Sequence, residues 1–346
     1  MATDRWSQRR VLTAALAVLA GVVVLDAALP AISLSASYAV AAVVAAVVAG
    51  VRRTAVVATL ALVLSVLAGV WNHNLGSLDW LLRVLITLVL GMLAVLTARL
   101  RVRREHALRH MTLIAETAQR ALLTAMPSEV GSVGFAARYV SATQDALVGG
   151  DLYEVAASPY GVRVVVGDVR GKGLDAVQLA GTVLGAFRRS AFTRESLGEV
   201  ASDLDAVVSA VAGDEDFVTA VIAEFHDDHT VTLVNCGHHP PLIVRGEDGV
   251  DEVPTGAPEP PLGMRPEPHP VTSPWPEGSR MLIFTDGLVE ARDESGTFFP
   301  LDESAGVLGG GDLEEALDDL LVRLHAHAGE RINDDMALVL VEHRAA

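Results

Sequence analysis

A chain of 346 residues with a formal net charge of −17 has room for two or three domains, and that charge argues against nucleic acid as a partner, because phosphate backbones are bound by basic surfaces. One cysteine, Cys236, excludes an internal disulfide and fits a reducing compartment. The charge is divided unevenly: residues 1–110 hold 11 Lys+Arg against 4 Asp+Glu, a surplus of +7, and the remainder holds 15 against 39, a net −24.

The basic part is almost pure Ala, Val and Leu. Apolar runs at 11–29, 31–51, 54–70 and 81–98 each approach the ~20 residues that cross ~30 Å of hydrocarbon as a helix. Arginines precede the first run (Arg5, Arg9, Arg10), form the Arg52-Arg53 turn, and follow the fourth run (Arg99, Arg101, Arg103, Arg104). The other two connections, at 29–30 and 71–80, carry none. Four crossings therefore put every arginine cluster on the cytoplasmic side, with the N-terminus and the C-terminal part both cytoplasmic. A signal peptide would explain only the first run. A soluble bundle would show polar faces, and a transporter would carry more intramembrane polar groups. Asp26 and Arg83 fall near the predicted outer ends, where snorkelling explains them, and Trp71 and Trp80 read as interfacial anchors.

Residues 100–126 continue as a helix closed by Pro127. Leu108, Met111, Ala115, Ala118, Leu122 and Ala125 step by three and four, a heptad seam that either pairs two protomers in parallel or docks on the chain's own C-terminal domain. The expected organisation is a transmembrane domain at 1–99, a linker helix at 100–127 and a globular domain at 128–346.

From residue 133 the period becomes two. Strands are expected at 133–140, 152–156, 162–166, 217–225, 230–234, 241–244, 281–284 and 336–341, with helices at 174–192, 197–212 and 313–328. The helices cluster between strands instead of alternating with them, which favours α+β architecture with antiparallel sheets. Residues 247–276, rich in Pro, Gly and acidic side chains, read as a long surface loop.

Residues 164–173, V-V-V-G-D-V-R-G-K-G, are a strand that delivers Asp168 to a sheet edge, followed by a glycine-rich loop where other groups approach closely. Asp151, Asp286 and the Asn333-Asp334-Asp335 run sit at other strand ends. Four carboxylate sites without a matching His or Cys set point to a hard cation, Mg²⁺ or Mn²⁺. Adjacent His238 and His239 point apart on a strand end and do not make a zinc site. Cys236 reads as a core thiol.

The ordered blocks Gly149-Gly150-Asp151-Leu152-Tyr153-Glu154, Gly167-Asp168-Val169-Arg170-Gly171-Lys172-Gly173, Cys236-Gly237-His238-His239-Pro240-Pro241-Leu242, Phe284-Thr285-Asp286-Gly287-Leu288-Val289-Glu290 and Asp334-Asp335-Met336-Ala337-Leu338 resemble the SpoIIE-type serine phosphatases, the bacterial regulatory branch of the protein phosphatase 2C superfamily. The resemblance runs from Gln119 to the C-terminus. It implies a PP2C-like β-sandwich of two antiparallel sheets flanked by helices, with two Mn²⁺ or Mg²⁺ ions at one end. By position, Asp168 would bridge both ions, Asp151 and the Val169 carbonyl would hold one, and Asp286 and Asp334 the other; Asp335 stands as the alternative to Asp334. Two ions ~4 Å apart would activate a shared water, so no protein nucleophile is required. Arg170 and Lys172 either meet a substrate phosphate or face solvent. Glu154 stands where Asp is more usual, which leaves its role open. The implied activity is Mn/Mg-dependent protein-serine/threonine phosphatase, and the implied substrate a phosphorylated anti-sigma-factor antagonist of STAS type. The alternative is a catalytically silent membrane scaffold that binds a partner through the same domain.

Overall fold

The computed structural model describes residues 2–28, 34–123, 125–141, 149–213, 215–244, 250–329, 332 and 334–344. The junction of the first two apolar runs (residues 29–31), the head of the acidic loop (residue 247) and Asn333 lie outside the described residues, as do the side chains of Arg5, Arg9 and Arg10. The chain divides into two compact units, Met1–His110 and Met111–Ala346.

The first unit is helical. Helix α1 spans Ala2–Ala28; a 3₁₀ turn at Ser35–Tyr38 leads into α2 (Ala39–Val48); α3 spans Val51–Trp71 and α4 begins at Leu78. Among the described residues two helices are long and apolar enough to cross a membrane: α3 and the N-terminal part of α4. Within the second expected run the described helical stretch is the 3₁₀ turn and α2, whose regular α-helix holds ten residues, about 15 Å of rise. Ala41, Ala42, Ala45 and Ala46 of α2 are buried against neighbouring helices.

Asp26 departs from expectation. It does not snorkel: it is fully buried and accepts hydrogen bonds from the Tyr38 hydroxyl (2.6 Å), the Trp71 indole (3.2 Å), the Asn72 amide (3.2 Å) and the Leu34 backbone N–H. A carboxylate surrounded by donors is stable where a bare one would not be. Arg83 pairs with Asp79 one turn away at 2.8 Å.

Helix α4 runs unbroken through Leu78–Leu122, so the fourth apolar run and the linker are one helix, and the division between the two units falls inside it. The heptad seam is split. Ala115, Ala118 and Leu122 pack around Val177 of the second unit, whereas Leu108 and Met111 are each 60% exposed.

The second unit is an antiparallel sandwich. Strands β1 (Glu129–Val130), β2 (Val133–Val140), β3 (Leu152–Ser158) and β4 (Gly161–Val169) precede helices α5 (Leu174–Thr193) and α6 (Leu197–Val211). Strands β5 (Val218–Phe225), β6 (Thr230–Cys236), β7 (Leu242–Val244), β8 (Val250–Glu252), β9 (Val271–Pro274) and β10 (Arg280–Phe284) follow. The chain ends with short helices α7 (Gly287–Glu290) and α8 (Leu301–Ser304), helix α9 (Leu313–Ala328) and strand β11 (Met336–His343). One sheet has the order β1-β2-β11-β10-β7-β8 and the other β3-β4-β5-β6-β9. Strands β8 and β9 lie inside the stretch expected as loop. Both are short edge strands whose exposed, charged or Pro-containing sequence hides the period-two signal.

Alternation along each strand sorts side chains into layers. In β4, Val164 and Val166 enter the core between the sheets, while Val165 and Val169 pack under α5 and α6. In β11, Ala337, Val339 and Val341 face the other sheet, and Met336, Leu338 and Leu340 face α9. The result is a helix–sheet–sheet–helix stack. Its buried Arg163 is neutralised by Glu224 and donates to the carbonyls of Ala191 (2.9 Å), Arg194 (2.6 Å) and Glu195 (2.7 Å), which closes the C-terminal end of α5.

Candidate metal-binding site at one end of the sandwich

The same alternation aims the acidic residues. Asp168 shares the parity of Val164 and Val166, and Asp151 that of Tyr153, so both carboxylates point into the gap between the sheets at its open end. Asp286 lies two residues past the end of β10, and Asp334 and Asp335 precede β11. Two of the four expected carboxylates thus come from each sheet. Strand ends more than 130 residues apart meet here: the Thr285 hydroxyl, adjacent to Asp286, donates to Asp151 at 2.7 Å and accepts from the Ala337 N–H at 2.8 Å.

The cluster carries more negative charge than its surroundings neutralise. Burial, then the charge of Asp168, holds the Asp151 carboxyl well above the usual range. Burial likewise pushes Asp168 up to about 7, with the carboxylates of Asp286 and Asp334 adding to it against a hydrogen bond from Asp151. Asp286 is raised by burial and by Glu290 and Asp334. Lys172 supplies a positive charge, paired with Asp334 at 2.7 Å.

The backbone leaves room for oxygens to crowd. A Cβ at Gly150 would lie 2.6 Å from the Val169 carbonyl oxygen, and one at Gly149 or Gly287 would collide with Asp335. Only glycine permits that approach. Among the described residues, no three His, Cys, Asp or Glu side chains already stand at ion-holding distances. The donor set nonetheless fits a hard divalent cation: carboxylates and a backbone carbonyl, in a glycine-lined cradle with excess negative charge.

Beside the carboxylates is a cavity of about 380 Å³ lined by Asp168, Asp286, Arg170, Phe217, Thr219, His238 and His239, among others. Arg170 is held there by the Glu215 carbonyl (2.9 Å) and lies over the Phe217 ring (5.3 Å). His239 stacks on Phe284. His238 is buried and bonds to Thr219 and to the Phe284 carbonyl, so neither ring nitrogen is offered to a metal. Cys236 is buried, and burial pushes its thiol up to about 12, which leaves it inert as a nucleophile.

Glu154 belongs elsewhere. Its parity sends it to the helix side of the sheet, where Arg188 of α5 pairs with it at 2.8 Å. Sequence reasoning did not single out Thr285, Thr219 or Gln119. Gln119 of α4 is buried and donates to the Tyr139 hydroxyl (2.6 Å) and the Gly149 carbonyl (3.1 Å), two residues before Asp151. The signal for Thr285 was available: a hydroxyl residue of inward parity immediately before a strand-end aspartate.

The family model described as Stage II sporulation protein E (SpoIIE) matches residues 158–344. Among solved structures, the RsbU and RsbW domains of Rv1364c from Mycobacterium tuberculosis are 25% identical with a TM-score of 0.53, over 62% of this chain and 60% of that one. The PP2C phosphatase domain and regulatory-domain fragment of SpoIIE from Bacillus subtilis is 20% identical with a TM-score of 0.52, over 62% of this chain and 64% of that one. The SiaA-PP2C domain of Pseudomonas aeruginosa is 18% identical with a TM-score of 0.56, over 72% of this chain and 99% of that one. The chain spans less than two thirds of the length of the first two.

Proposed function

Because the chain belongs to the SpoIIE family, whose fold is that of PP2C-type serine/threonine phosphatases, we propose that it is a metal-dependent phosphatase acting on phosphoserine or phosphothreonine of a regulatory protein. The observation that carries this reading is the convergence of carboxylates from four separate chain segments at one end of the sandwich. In this proposal Asp168 would contribute to holding two Mn²⁺ or Mg²⁺ ions. Asp151 and the Val169 carbonyl would help hold one ion, and Asp286 and Asp334 the other. Such a pair, when bound, supplies an activated water and neutralises charge on the phosphoryl group.

The chain's own residues do the rest. Asp151 and Asp168, held in a buried gap, present carboxyl oxygens whose charge is relieved by a proton when no cation is bound and by the cation when it is. Arg170, fixed over Phe217 on the cavity wall, meets a phosphoryl oxygen with a guanidinium that stays charged throughout. Lys172 neutralises Asp334 and is a further contact for substrate phosphate. The substrate phosphoprotein docks at the cavity mouth, and the family resemblance makes a STAS-type anti-sigma-factor antagonist the class to test. The scaffold reading is not favoured, since the acidic residues and the glycines that let them crowd are all retained.

The reading extends to the first unit. Helices α3 and α4 are apolar enough to span a bilayer, and the arginine clusters put the N-terminus and the phosphatase domain on the cytoplasmic side. The exposed Leu108 and Met111 offer a seam for a parallel homodimer. The deciding experiment is Mn²⁺-dependent dephosphorylation of phosphorylated STAS proteins by wild type and Asp168→Asn. Turnover by wild type that falls to background in the variant is expected; equal background turnover by both supports the scaffold.

A further inference from the structure

Two donors of the carboxylate cluster belong to each sheet, so the gap between the sheets at this end decides whether all of them can reach the same ions. Face-to-face sheets normally lie ~10 Å apart, too far for one ion to be shared without something drawing the ends together. Thr285 does this by bonding to Asp151 directly. A second connection touches no carboxylate. His238 lies just past β6 in a loop turned by Gly237 (φ +68°), and its backbone is bracketed by Asn235, whose side-chain oxygen accepts from the His238 N–H (2.8 Å) and whose amide donates to the His238 carbonyl (2.8 Å). The backbone therefore fixes where the imidazole goes.

The imidazole crosses from one sheet to the other. Nε2 lies 3.0 Å from the Phe284 carbonyl oxygen. A carbonyl can only accept, so this nitrogen carries the proton, and Nδ1 accepts from the Thr219 hydroxyl at 2.9 Å. Thr219 is the residue directly opposite Asp168 in the β4–β5 ladder, and Phe284 is two residues before Asp286. The path thus runs from the strand pair that presents Asp168, through Thr219 and His238, to the strand end that presents Asp286. Both ring nitrogens are used, and the ring is buried.

We propose that His238 is a positioning residue: a strut between the two sheets that sets the separation of Asp168 and Asp286 and thereby the affinity of the site for its divalent cations, without touching either ion. This rests on the two-metal reading given above. Residues that orient metal ligands from behind typically change metal affinity about 10–100-fold when removed.

The test is calorimetric titration of Mn²⁺ into the full-length chain in detergent, for wild type, His238→Phe, His238→Gln and Thr219→Val, each with its melting temperature in EDTA. Phe keeps the ring's bulk and loses both hydrogen bonds; Gln keeps an N–H for the Phe284 carbonyl. The expected result is an Mn²⁺ affinity at least about tenfold weaker in His238→Phe, recovered to within about threefold in His238→Gln, and weakened less in Thr219→Val. A purely structural role would lower the melting temperatures and leave Mn²⁺ affinity alone. Wild-type affinity in folded His238→Phe, or a Gln variant no better than Phe, overturns the strut. Should His238→Phe not fold, unchanged affinity in Thr219→Val overturns it instead. Wild type that binds no Mn²⁺ overturns the two-metal reading, a different result.

Discussion

The hydroxyl of Thr285 donates to the carboxylate of Asp151 across the gap between the two sheets, at 2.7 Å, and accepts the Ala337 N–H at 2.8 Å. One fully buried oxygen therefore joins β10, β11 and the start of β3. Thr285→Val removes both bonds at nearly constant volume. The stranded N–H and carboxylate should cost about 1–3 kcal/mol of stability in the metal-free protein. Mn²⁺ affinity should fall about 10–100-fold, because Asp151 loses its orienting donor. Thr285→Ser keeps the hydroxyl and should retain affinity. Denaturant unfolding in EDTA and calorimetry with Mn²⁺ read the two effects separately.

Asp168 offers a prediction of two signs. Its folded-state pKa of about 7 lies above the ordinary 3.8, so the metal-free fold binds a proton that the unfolded chain releases, and stability is lost as pH rises from 3.8 through 7. At pH 8 the buried charge should destabilise the metal-free protein by up to roughly 4 kcal/mol. Asp168→Asn removes that charge. Its melting temperature in EDTA at pH 8 should exceed that of wild type, while the rise that Mn²⁺ gives wild type should disappear. Lower stability of the variant in EDTA would show that the carboxylate is compensated in a way the fold does not reveal.

His238 titrates in the opposite sense. Burial, and secondarily the neighbouring His239, push its imidazole down to about 4 from 6.5, against the Phe284 carbonyl that favours its N–H. The unfolded chain then binds the proton first. The contribution of His238 is fully present above pH 6.5 and is lost as pH falls toward 4, roughly 3 kcal/mol in all. The raised carboxylates of Asp151 and Asp168 work against this trend over the same range, so wild type alone will show a shallow profile. The difference between wild type and His238→Gln isolates the imidazole, and it should narrow steadily between pH 7 and pH 4.5 in unfolding titrations.

Much of this was legible in the chain because runs such as 133–136 and 164–166 are buried on both faces and are apolar at every position. The ordered acidic motifs carried the family for the same reason that they carry the chemistry: each places an aspartate at a strand end, beside a glycine in the blocks of Asp151, Asp168 and Asp286. What the chain hid depends on tertiary placement. Nothing local tells that Glu154 turns to Arg188 on α5 instead of to the carboxylates, or that Lys172 pairs with Asp334 from a loop 162 residues earlier. The run at 31–51 is apolar throughout, and nothing local tells that Ala41, Ala42, Ala45 and Ala46 within it are buried against neighbouring helices. Asp26 looked like a residue reaching for water because its donors, Tyr38, Trp71 and Asn72, come from other elements.

Gln119 connects the end of α4 to the carboxylate loop, and both of its partners require an N–H donor. The Gly149 carbonyl accepts from its amide at 3.1 Å and the Tyr139 hydroxyl receives the second N–H at 2.6 Å. Gln119→Leu leaves that carbonyl without its donor, a loss of about 1–3 kcal/mol at a buried position. Gln119→Glu goes further, since a carboxylate set against a carbonyl oxygen repels it and adds negative charge to a cluster that already has too much. Amide exchange around Gly149–Asp151 should therefore quicken in both variants and more in Gln119→Glu, with Mn²⁺ affinity falling in the same order. Equal, wild-type exchange in the two would mean that α4 merely rests on the domain. Faster exchange confined to these residues would mean that whatever displaces α4 also disturbs Asp151.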